Sequence, residues 1–251
     1  MGSSLLNRLS GKQRPLVMAH RGNRIRFPEN TMPAFRQAIE DGADILETDL
    51  HLSMDDEFMC IHDSTLNRTT NSEGPVAKKT LKELKDLQIV DEKSRSKVMD
   101  IPTLAELTQI IPQNVALALE LKTDLFLEKS ICEKLGYLLD HHGVLERTIC
   151  ISFSLERVKM VKKIIPGMPI GWISMSRLIP DKDVELIGAF WPVMFINPWY
   201  VRMAHKKDML VCPLDPTPDL RLQSYLKMDC DAILTDDPAK TRSALDLLLK
   251  K

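Results

Sequence analysis

The stretch VALALELK, residues Val115–Lys122, alternates large and small side chains and then ends in charge. Neighbouring residues of a strand point to opposite faces, so the large apolar residues share one face and the two alanines share the other with Glu120 and Lys122. Small residues followed by charged ones at a C-terminal end are typical of a barrel strand whose inner side opens into a site. A salt bridge at a strand end would also explain the two charged residues.

Short apolar runs of this kind recur along the chain and alternate with helical patterns. Eight strands are predicted, at Leu16–His20, Asp44–Leu52, Val115–Leu121, Thr148–Phe153, Pro169–Ser174, Val193–Asn197, Met209–Leu214 and Ala232–Thr235. Helical patterns follow most of them, including Thr31–Asp41, Asp124–His141, Leu155–Ile165 and Lys240–Leu249. Eight such units in 251 residues predict an α/β fold, a closed (β/α)8 barrel of the TIM type rather than an open doubly wound sheet. We expect one domain over residues 1–251.

One connection is longer than the others. Between Asp63 and Ile101 the chain is polar and charged, with capping-box patterns at Thr80–Glu83 and just beyond it at Thr103–Glu106. Connections of this length inside a compact domain are usually functional. We therefore predict a small insertion at the barrel rim, residues 63–101.

The composition excludes several classes of protein. A content of 44% hydrophobic and 27% charged residues with a net charge of −1 is typical of a globular protein, and it argues against nucleic acid as a partner. No apolar run approaches the roughly 20 residues that span a bilayer, and the start of the chain lacks a secretory signal. A weak apolar helix at Ser4–Leu9 is the one membrane-facing candidate.

The cysteines indicate a reducing compartment. They are odd in number, form no CxxC pair and mostly lie in apolar runs, as reduced core thiols do. Their positions are Cys60, Cys132, Cys150, Cys212 and Cys230. We therefore predict a cytoplasmic location.

Two carboxylates lie two residues apart on the second predicted strand. The period of two places Glu47 and Asp49 on one face of Asp44–Leu52 and the leucines on the other. Two carboxylates that face the same way repel each other unless a positive group lies between them, and a divalent cation with a preference for oxygen fits that need. The alternative is that both side chains face solvent.

A hairpin could bring a histidine to these carboxylates. The run Phe58–His62 follows a turn-like segment, and a turn centred between Asp55 and Asp56 would place His62 opposite Asp49. Next to carboxylates the imidazole would be held charged and able to donate a proton. A lone histidine at a strand end is otherwise more often structural.

His20 and Arg21 end the first strand in the same way. Together the strand ends supply carboxylates, histidines and cations for one barrel mouth: Glu47, Asp49, Glu120, His20, His62, Arg21 and Lys122. A metal and two cations can hold the negative oxygens of a phosphodiester, while two histidines exchange protons with the nucleophile and the leaving group. No single residue is specific for this chemistry, but the set predicts phosphoryl chemistry.

At these residues the sequence resembles the glycerophosphodiester phosphodiesterase family nearly from end to end. The similarity lies in AHRG (residues 19–22), PENT (28–31), AFRQAIEDGADILETDLHLSMDDEFMCIHDSTLNRTT (34–70) and LELK (119–122), in that order and spacing. Residues 150–154 and 231–238 also resemble the family. The resemblance implies hydrolysis of glycerophosphodiesters to sn-glycerol 3-phosphate and an alcohol, with either water or the glycerol 2-hydroxyl attacking first.

The resemblance also implies roles for individual residues. One divalent ion, Mg²⁺ or Ca²⁺, would bind at the mouth of the barrel, and its ligands would be Glu47, Asp49 and Glu120. An acid/base pair would be formed by His20 and His62, and the phosphate would be contacted by Arg21 and Lys122. The insertion after Asp63 would cap the site.

The C-terminal part departs from the family pattern. A Trp-Thr-Val-Asn-like strand end is replaced by Cys212–Asp215, which puts the wall around the alcohol of the substrate in doubt. Trp172 and Trp199 could supply an apolar wall, although core packing is the favoured interpretation for each. The alternative substrates are lysophospholipids or sphingolipids, whose headgroups would be cleaved. A catalytically silent, ligand-binding module is a third hypothesis.

Some polar residues near the motif are predicted to serve the architecture. Asn30 or Thr31 would be the N-cap of the helix that follows, and Glu29 would shape the loop. His51 is predicted to be exposed near the tip of the hairpin. Asp63 could either orient His62 or only begin the next loop.

Overall fold

Among the described residues, eight parallel strands form a barrel, and a ninth short strand lies beside one of them. The structure is a computed structural model that describes residues 15–90, 99–180 and 183–250. Its strands are β1 (Leu16–His20), β2 (Ile45–Leu52), β3 (Phe58–Cys60), β4 (Ala116–Leu121), β5 (Thr148–Ser152), β6 (Ile170–Ser174), β7 (Leu186–Phe190), β8 (Leu210–Leu214) and β9 (Ala232–Thr235). Their order in the sheet is β8-β7-β6-β5-β4-β2-β1-β9, and β3 pairs with β2 in the antiparallel sense.

The two outer strands of that order meet and close the barrel. The backbone N–H of Asp231, just before β9, donates to the carbonyl of Val211 in β8 at 3.0 Å. The N–H of Val211 in turn donates to the Asp231 carboxylate at 2.9 Å. The predicted (β/α)8 barrel is therefore confirmed.

Helices surround the barrel and connect successive strands. They are α1 (Met32–Glu40), α2 (Leu81–Lys85), α3 (Leu104–Ile110), α4 (Lys129–His141), α5 (Leu155–Ile164), α6 (Trp191–Ile196), α7 (Tyr200–His205), α8 (Leu222–Lys227) and α9 (Pro238–Leu249). Thr31 is the N-cap of α1 and accepts a hydrogen bond from the N–H of Ala34, as predicted for one of the two candidates. Both predicted capping boxes are also present, at Thr80 and at Thr103.

The alternation along the strands separates two layers of core. Small or aliphatic side chains such as Met18, Ala116 and Ala118 fill the barrel interior. Larger ones such as Leu46 and Leu117 pack outward against the helices. Because a strand alternates its faces, His20 continues the inner face of Met18 and reaches the interior at the end of β1.

One predicted strand is wrong. Residues 193–196 belong to α6 and Asn197 is its C-cap, and the strand of that unit is β7, Leu186–Phe190. The apolar run continues across both elements, so its period alone does not divide it. Pro192 lies in the first turn of α6, a position that proline favours because its missing N–H would have no helical partner there.

The predicted register of the hairpin is also wrong, by one residue. Leu50 pairs with Cys60 and Leu52 with Phe58, and the N–H of Ser53 donates to the carbonyl of Glu57 at 2.9 Å. The turn therefore has three residues instead of two, and its last residue, Asp56, has a φ of 61°. Three-residue hairpin loops commonly end in such a left-handed residue.

The segment predicted as an insertion contains short helices with an apolar cluster of their own. Between Asp63 and Ile101 the described residues form α2 and the 3-10 helix Val76–Lys78. Leu66, Val76 and Leu84 pack with residues at the end of the hairpin. Residues 91–98 of this segment lie outside the described residues, as does the predicted apolar helix Ser4–Leu9.

All five thiols are free and buried, as expected of core cysteines. Burial raises the pKa of Cys60 and of Cys212 to about 12. Within the described ranges, no helix combines the length and the apolarity needed to cross a bilayer.

The turn after β1 requires a glycine for two reasons. Gly22 has a φ of 84°, and a Cβ there would lie 2.6 Å from the carbonyl carbon of Ala34. Gly74 has a similar φ of 90°, but no atom lies within 4 Å of its ideal Cβ position. A side chain at Gly74 would therefore meet only the cost of a positive φ, whereas a side chain at Gly22 would also clash with Ala34.

We expect Gly74→Ala to lower the free energy of unfolding by about 1 kcal/mol, the usual cost of a left-handed alanine. Gly22→Ala should lower it by roughly 3 kcal/mol or more, because helix α1 must also move. Urea denaturation followed by circular dichroism measures both values. Equal losses for the two variants would contradict the close packing of the β1 turn on α1.

Candidate active site

Three buried carboxylates lie together at the C-terminal ends of β2 and β4. The parallel register places Asp49 beside Glu120. Glu47 lies two residues earlier on the same face of β2, deeper in the barrel. One oxygen of each lies within 4.8 Å of the others. Glu47, Asp49 and Glu120 are only 2%, 0% and 7% exposed. The structure therefore brings the predicted acidic set together, away from bulk solvent.

The two predicted phosphate-binding cations lie among these carboxylates. Arg21 Nε is 3.0 Å from Asp49 Oδ2, and the Arg21 backbone N–H donates to Glu47 Oε2 at 3.0 Å. Lys122 Nζ is 2.8 Å from Glu120 Oε1 and 3.5 Å from Asp49 Oδ1. Both cations are mostly buried and reach the same side of the barrel as the acidic set.

Burial, together with the neighbouring charges, alters the pKa values of the three carboxyl groups. Burial raises the pKa of Glu47 well above its ordinary value, and the charge of Asp49 raises it further. Burial and Asp49 also raise the pKa of Glu120. Burial would raise the pKa of Asp49 too, but the charges of Arg21 and Lys122 bring it below its ordinary value. Negative charge is thus in excess at Glu47 and Glu120.

These residues fit a divalent cation. Asp49 Oδ1 is buried and accepts no hydrogen bond from any described residue. Oxygen ligands lie about 2.0–2.6 Å from Mg²⁺ or Ca²⁺, so a single ion can contact carboxylate oxygens that are less than 5 Å apart. A metal would also offset the negative charge of the three carboxylates that Arg21 and Lys122 leave uncompensated.

Asn30 fixes the orientation of Asp49. Its amide Nδ2 donates to Asp49 Oδ2 at 2.9 Å, and its Oδ1 accepts from the hydroxyl of Thr48 at 2.8 Å. Asn30 also adopts a φ of 54°, which asparagine tolerates better than most residues. The PENT stretch was predicted to serve only the architecture, and Asn30 in fact contacts the acidic set directly.

His20 lies at the mouth with a carboxylate on one ring nitrogen. His20 Nδ1 is 2.8 Å from Asp236 Oδ1, which follows β9. Arg24 Nη1, which can only donate, lies farther from Nδ1, at 3.2 Å. We assign the Nδ1 proton to the shorter contact with Asp236, whose carboxylate can only accept, and Nε2 is then the nitrogen that can exchange protons. Burial lowers the pKa of His20 despite the hydrogen bond with Asp236.

His62 has the same kind of partner. Its Nδ1 is 2.6 Å from Asp63 Oδ1, so Asp63 does orient the histidine that precedes it. The slipped register means that His62 is not the cross-strand partner of Asp49, and the N–H of Ile61 donates to the Asp49 carbonyl instead, at 3.1 Å. The expectation that His62 is held charged is wrong, because burial lowers its pKa and outweighs the nearby carboxylates.

His51 is buried, which contradicts the prediction that it is exposed. It is 8% exposed, and its Nε2 lies 3.2 Å from the carbonyl oxygen of His62. Because a carbonyl oxygen only accepts, His51 donates from Nε2. The bond fixes the backbone of His62 where the chain leaves β3.

The cavity at the mouth has a charged side and an apolar side. His20, Glu47 and Glu120 line one side of it. The other side consists of residues from β5 to β9, among them Ile151, Ile173, Gly188, Pro213, Leu214 and Leu234. The strand end that departs from the family pattern thus contributes Pro213 and Leu214 to the apolar wall.

Neither tryptophan considered for that wall lines the cavity. Trp172 packs on the outer core, and its indole N–H donates to the carbonyl of Phe153 at 3.1 Å. Trp199 is 61% exposed, so the prediction that it packs in the core is wrong.

Several polar residues at the site were missed by the sequence reasoning. Asp236 and the two arginines Arg24 and Arg68 contact the histidines or their partners. A signal exists for Asp236 alone, since it is a charged residue directly after a predicted strand. Arg24 and Arg68 lie in loops whose spacing gives no sign of where their side chains reach.

A barrel mouth with paired acids, cations and histidines defines a phosphoric diester hydrolase. The model of the glycerophosphoryl diester phosphodiesterase family matches residues 20–240. A relative from Caldanaerobacter subterraneus subsp. tengcongensis, a glycerophosphodiester phosphodiesterase, is 34% identical over 231 residues, which cover 89% of this chain and 94% of the relative. The chain belongs to the glycerophosphoryl diester phosphodiesterase family and is an enzyme of that class.

Solved structures agree with this assignment. A structure from Silicibacter pomeroyi superposes with a TM-score of 0.84 over 98% of each chain at 21% identity, which concerns the fold alone. A phosphodiesterase from Oleispira antarctica, solved in complex with the product sn-glycerol-3-phosphate, superposes with a TM-score of 0.80 at 26% identity. That alignment covers 92% of this chain and 97% of the Oleispira chain.

We expect Asn30→Gly to weaken the binding of Mg²⁺ and Ca²⁺ by about 10- to 100-fold, because Asp49 loses the amide that orients it. Glycine is chosen because it tolerates the positive φ of Asn30. Isothermal titration calorimetry of the purified protein measures the change. Asn197→Gly, which removes a side chain bonded to the Leu178 carbonyl outside the site, is the control. Equal metal affinities in all three proteins would contradict the role of Asn30.

Proposed function

We propose that the chain hydrolyses glycerophosphodiesters to sn-glycerol 3-phosphate and an alcohol at this barrel mouth. The observation that carries the proposal is the arrangement of two carboxylate-bound histidines around three buried carboxylates and two cations. The activity of the relatives and the product bound to the Oleispira phosphodiesterase support it.

Arg21 and Lys122 are assigned to the phosphate group. Both point their charge into a site where a phosphodiester would bring at least one negative oxygen. In the structure they pair with Asp49 and Glu120, so they remain neutralised when no substrate is bound. They would then stabilise the charge that develops on the phosphoryl oxygens during the reaction.

Glu47, Asp49 and Glu120 are assigned as the ligands of one divalent cation, Mg²⁺ or Ca²⁺. When bound, the cation supplies positive charge next to the phosphate oxygens. The three side chains come from two neighbouring strands, so the barrel fixes their separation. Asn30 and Arg21 restrict the orientation of Asp49.

His20 and His62 are assigned to proton transfer. One would accept the proton of the attacking hydroxyl as its oxygen bonds to phosphorus, and the other would give a proton to the alcohol oxygen as the P–O bond breaks. Asp236 and Asp63 hold the Nδ1 protons, which leaves Nε2 of each ring for this exchange. The same carboxylates stabilise whichever ring is positively charged.

With Mg²⁺ or Ca²⁺, the purified protein should release sn-glycerol 3-phosphate from glycerophosphocholine or glycerophosphoethanolamine. Separate His20→Ala and His62→Ala substitutions should each lower kcat by about 10²- to 10⁴-fold, the usual contribution of a general acid or base. A coupled glycerol 3-phosphate dehydrogenase assay measures the product. The exposed His141→Ala variant is the control.

Absence of turnover on any glycerophosphodiester with any divalent metal would contradict the proposed reaction. Wild-type activity in either histidine variant would contradict the assigned roles and would favour a site that only binds phosphate-bearing ligands.

The apolar side of the cavity favours a second substrate class. Ile151, Ile173 and Leu214 could contact an apolar portion of a substrate whose phosphate lies among the charged residues. Lysophospholipids and sphingolipids have such a portion, and cleavage of their headgroups would use the same residues.

If acylated substrates are preferred, lysophosphatidylcholine should give a higher kcat/KM than glycerophosphocholine below its critical micelle concentration. Choline release, measured by choline oxidase, reports on both substrates. Activity on the deacylated substrate alone would exclude the second class.

A further inference from the structure

Glu29 binds three arginines at once. Its Oε1 accepts from Arg21 Nη1 at 3.0 Å and from Arg68 Nη2 at 2.7 Å, and its Oε2 accepts from Arg24 Nη2 at 3.0 Å. The side chain is only 8% exposed. Burial would raise the pKa of Glu29, but the hydrogen bond from Arg68 and the three positive charges bring it to about 2. Glu29 is therefore ionised at neutral pH.

One of these arginines, Arg24, connects Glu29 to the partner of His20. Arg24 Nη1 lies 3.0 Å from both carboxylate oxygens of Asp236, and Asp236 Oδ1 binds His20 Nδ1 at 2.8 Å. Arg24 uses one terminal nitrogen for Glu29 and the other for Asp236. Its planar guanidinium therefore fixes the position of Asp236 relative to Glu29.

Another of these arginines, Arg68, connects Glu29 to the partner of His62. Arg68 donates from Nε and Nη2 to the two oxygens of Asp63, at 2.7 and 3.0 Å, and Asp63 Oδ1 binds His62 Nδ1 at 2.6 Å. Arg68 belongs to the segment predicted as the rim insertion, whereas Glu29 belongs to the loop after β1. The contact between Arg68 and Glu29 thus joins the two loops that flank the site.

The two arms have the same order of groups, but in the His20 arm Arg24 Nη1 also lies 3.2 Å from His20 Nδ1 itself. Each runs from Glu29 through an arginine and an aspartate to the Nδ1 atom of a histidine. Charge-assisted hydrogen bonds are shorter and stronger than neutral ones. Partial burial strengthens those of the Arg24 arm further, whereas the Arg68 side chain is 48% exposed. A shift of Glu29 would therefore be transmitted to both rings, although they are 42 residues apart in the chain.

We propose that Glu29 is a positioning residue that fixes both histidines relative to each other through Arg24–Asp236 and Arg68–Asp63. It contacts neither histidine itself. The inference rests on the proposed function only in taking His20 and His62 as the proton-transfer pair.

The test is Glu29→Gln, which keeps the size of the side chain and removes its charge. The imidazole ¹⁵N and ¹H signals of both His20 and His62 should shift in the metal-free protein. Those of the exposed His141 should stay in place. With metal, kcat should fall by about 10- to 100-fold, since small displacements of reacting groups have effects of this size.

The two arms can be separated by single substitutions. Arg24→Met should shift the signals of His20 and leave those of His62, and Arg68→Met should do the reverse. In the Glu29→Gln background, each substitution should have a much smaller effect on kcat than in the wild type, because the shared link is already lost. Arg26→Met, an exposed arginine of the same loop, is the matched control.

A folded Glu29→Gln protein in which one or neither histidine shifts would overturn the proposal. So would fully additive effects of Glu29→Gln with either arginine substitution. If Glu29→Gln does not fold, Arg68→Met decides the matter, because its side chain is 48% exposed and tolerates replacement. Unshifted His62 signals in that variant would overturn the link. Coupled shifts without any loss of kcat in His20→Ala would instead retain the link and contradict the proposed function.

Discussion

The repulsion among Glu47, Asp49 and Glu120 determines how the rest of the mouth is built. Three carboxylates that are nearly inaccessible to solvent can share a site only where positive groups offset their charge. The protein meets this condition with Arg21 and Lys122, one at the end of β1 and the other just beyond β4. Both follow buried strands, so they reach the acidic set without leaving the barrel. The cluster thereby presents both carboxylates that can bind a cation and positive side chains that can bind an anion.

Much of this was accessible from the sequence, because strand period and parallel alignment are local rules. Once the chain alternates faces from Asp44 to Leu52, Glu47 and Asp49 must share a side, and parallel strands bring their C-terminal ends to one edge. The resemblance to the family then assigned the same residues. Contacts between loops follow no such period. Asp236 is 216 residues from His20, and only the closure of the barrel brings them together.

The two errors in the fold have a common origin in short segments where several structures satisfy the same pattern. The apolar run that contains β7 and α6 lacks a polar boundary, so only Pro192 indicates where the strand gives way to the helix. In the hairpin, a three-residue turn is one residue longer than a two-residue turn. This one-residue shift changes which residues pair across the two strands. His62 still reaches the site because it lies beyond the paired part of β3, where the ladder no longer dictates its direction.

The closure of the barrel determines when, during synthesis, the contact between His20 and Asp236 can form. His20 is in the first strand, and Asp236, which holds its proton, follows the last one. During translation the ribosome releases the early strands long before β9 exists, and domains generally complete their folding as units. A nascent chain therefore carries every predicted metal ligand well before it can orient His20. The contact between Asp236 and His20 Nδ1 can form only after β9 and the residues that follow it have been synthesised.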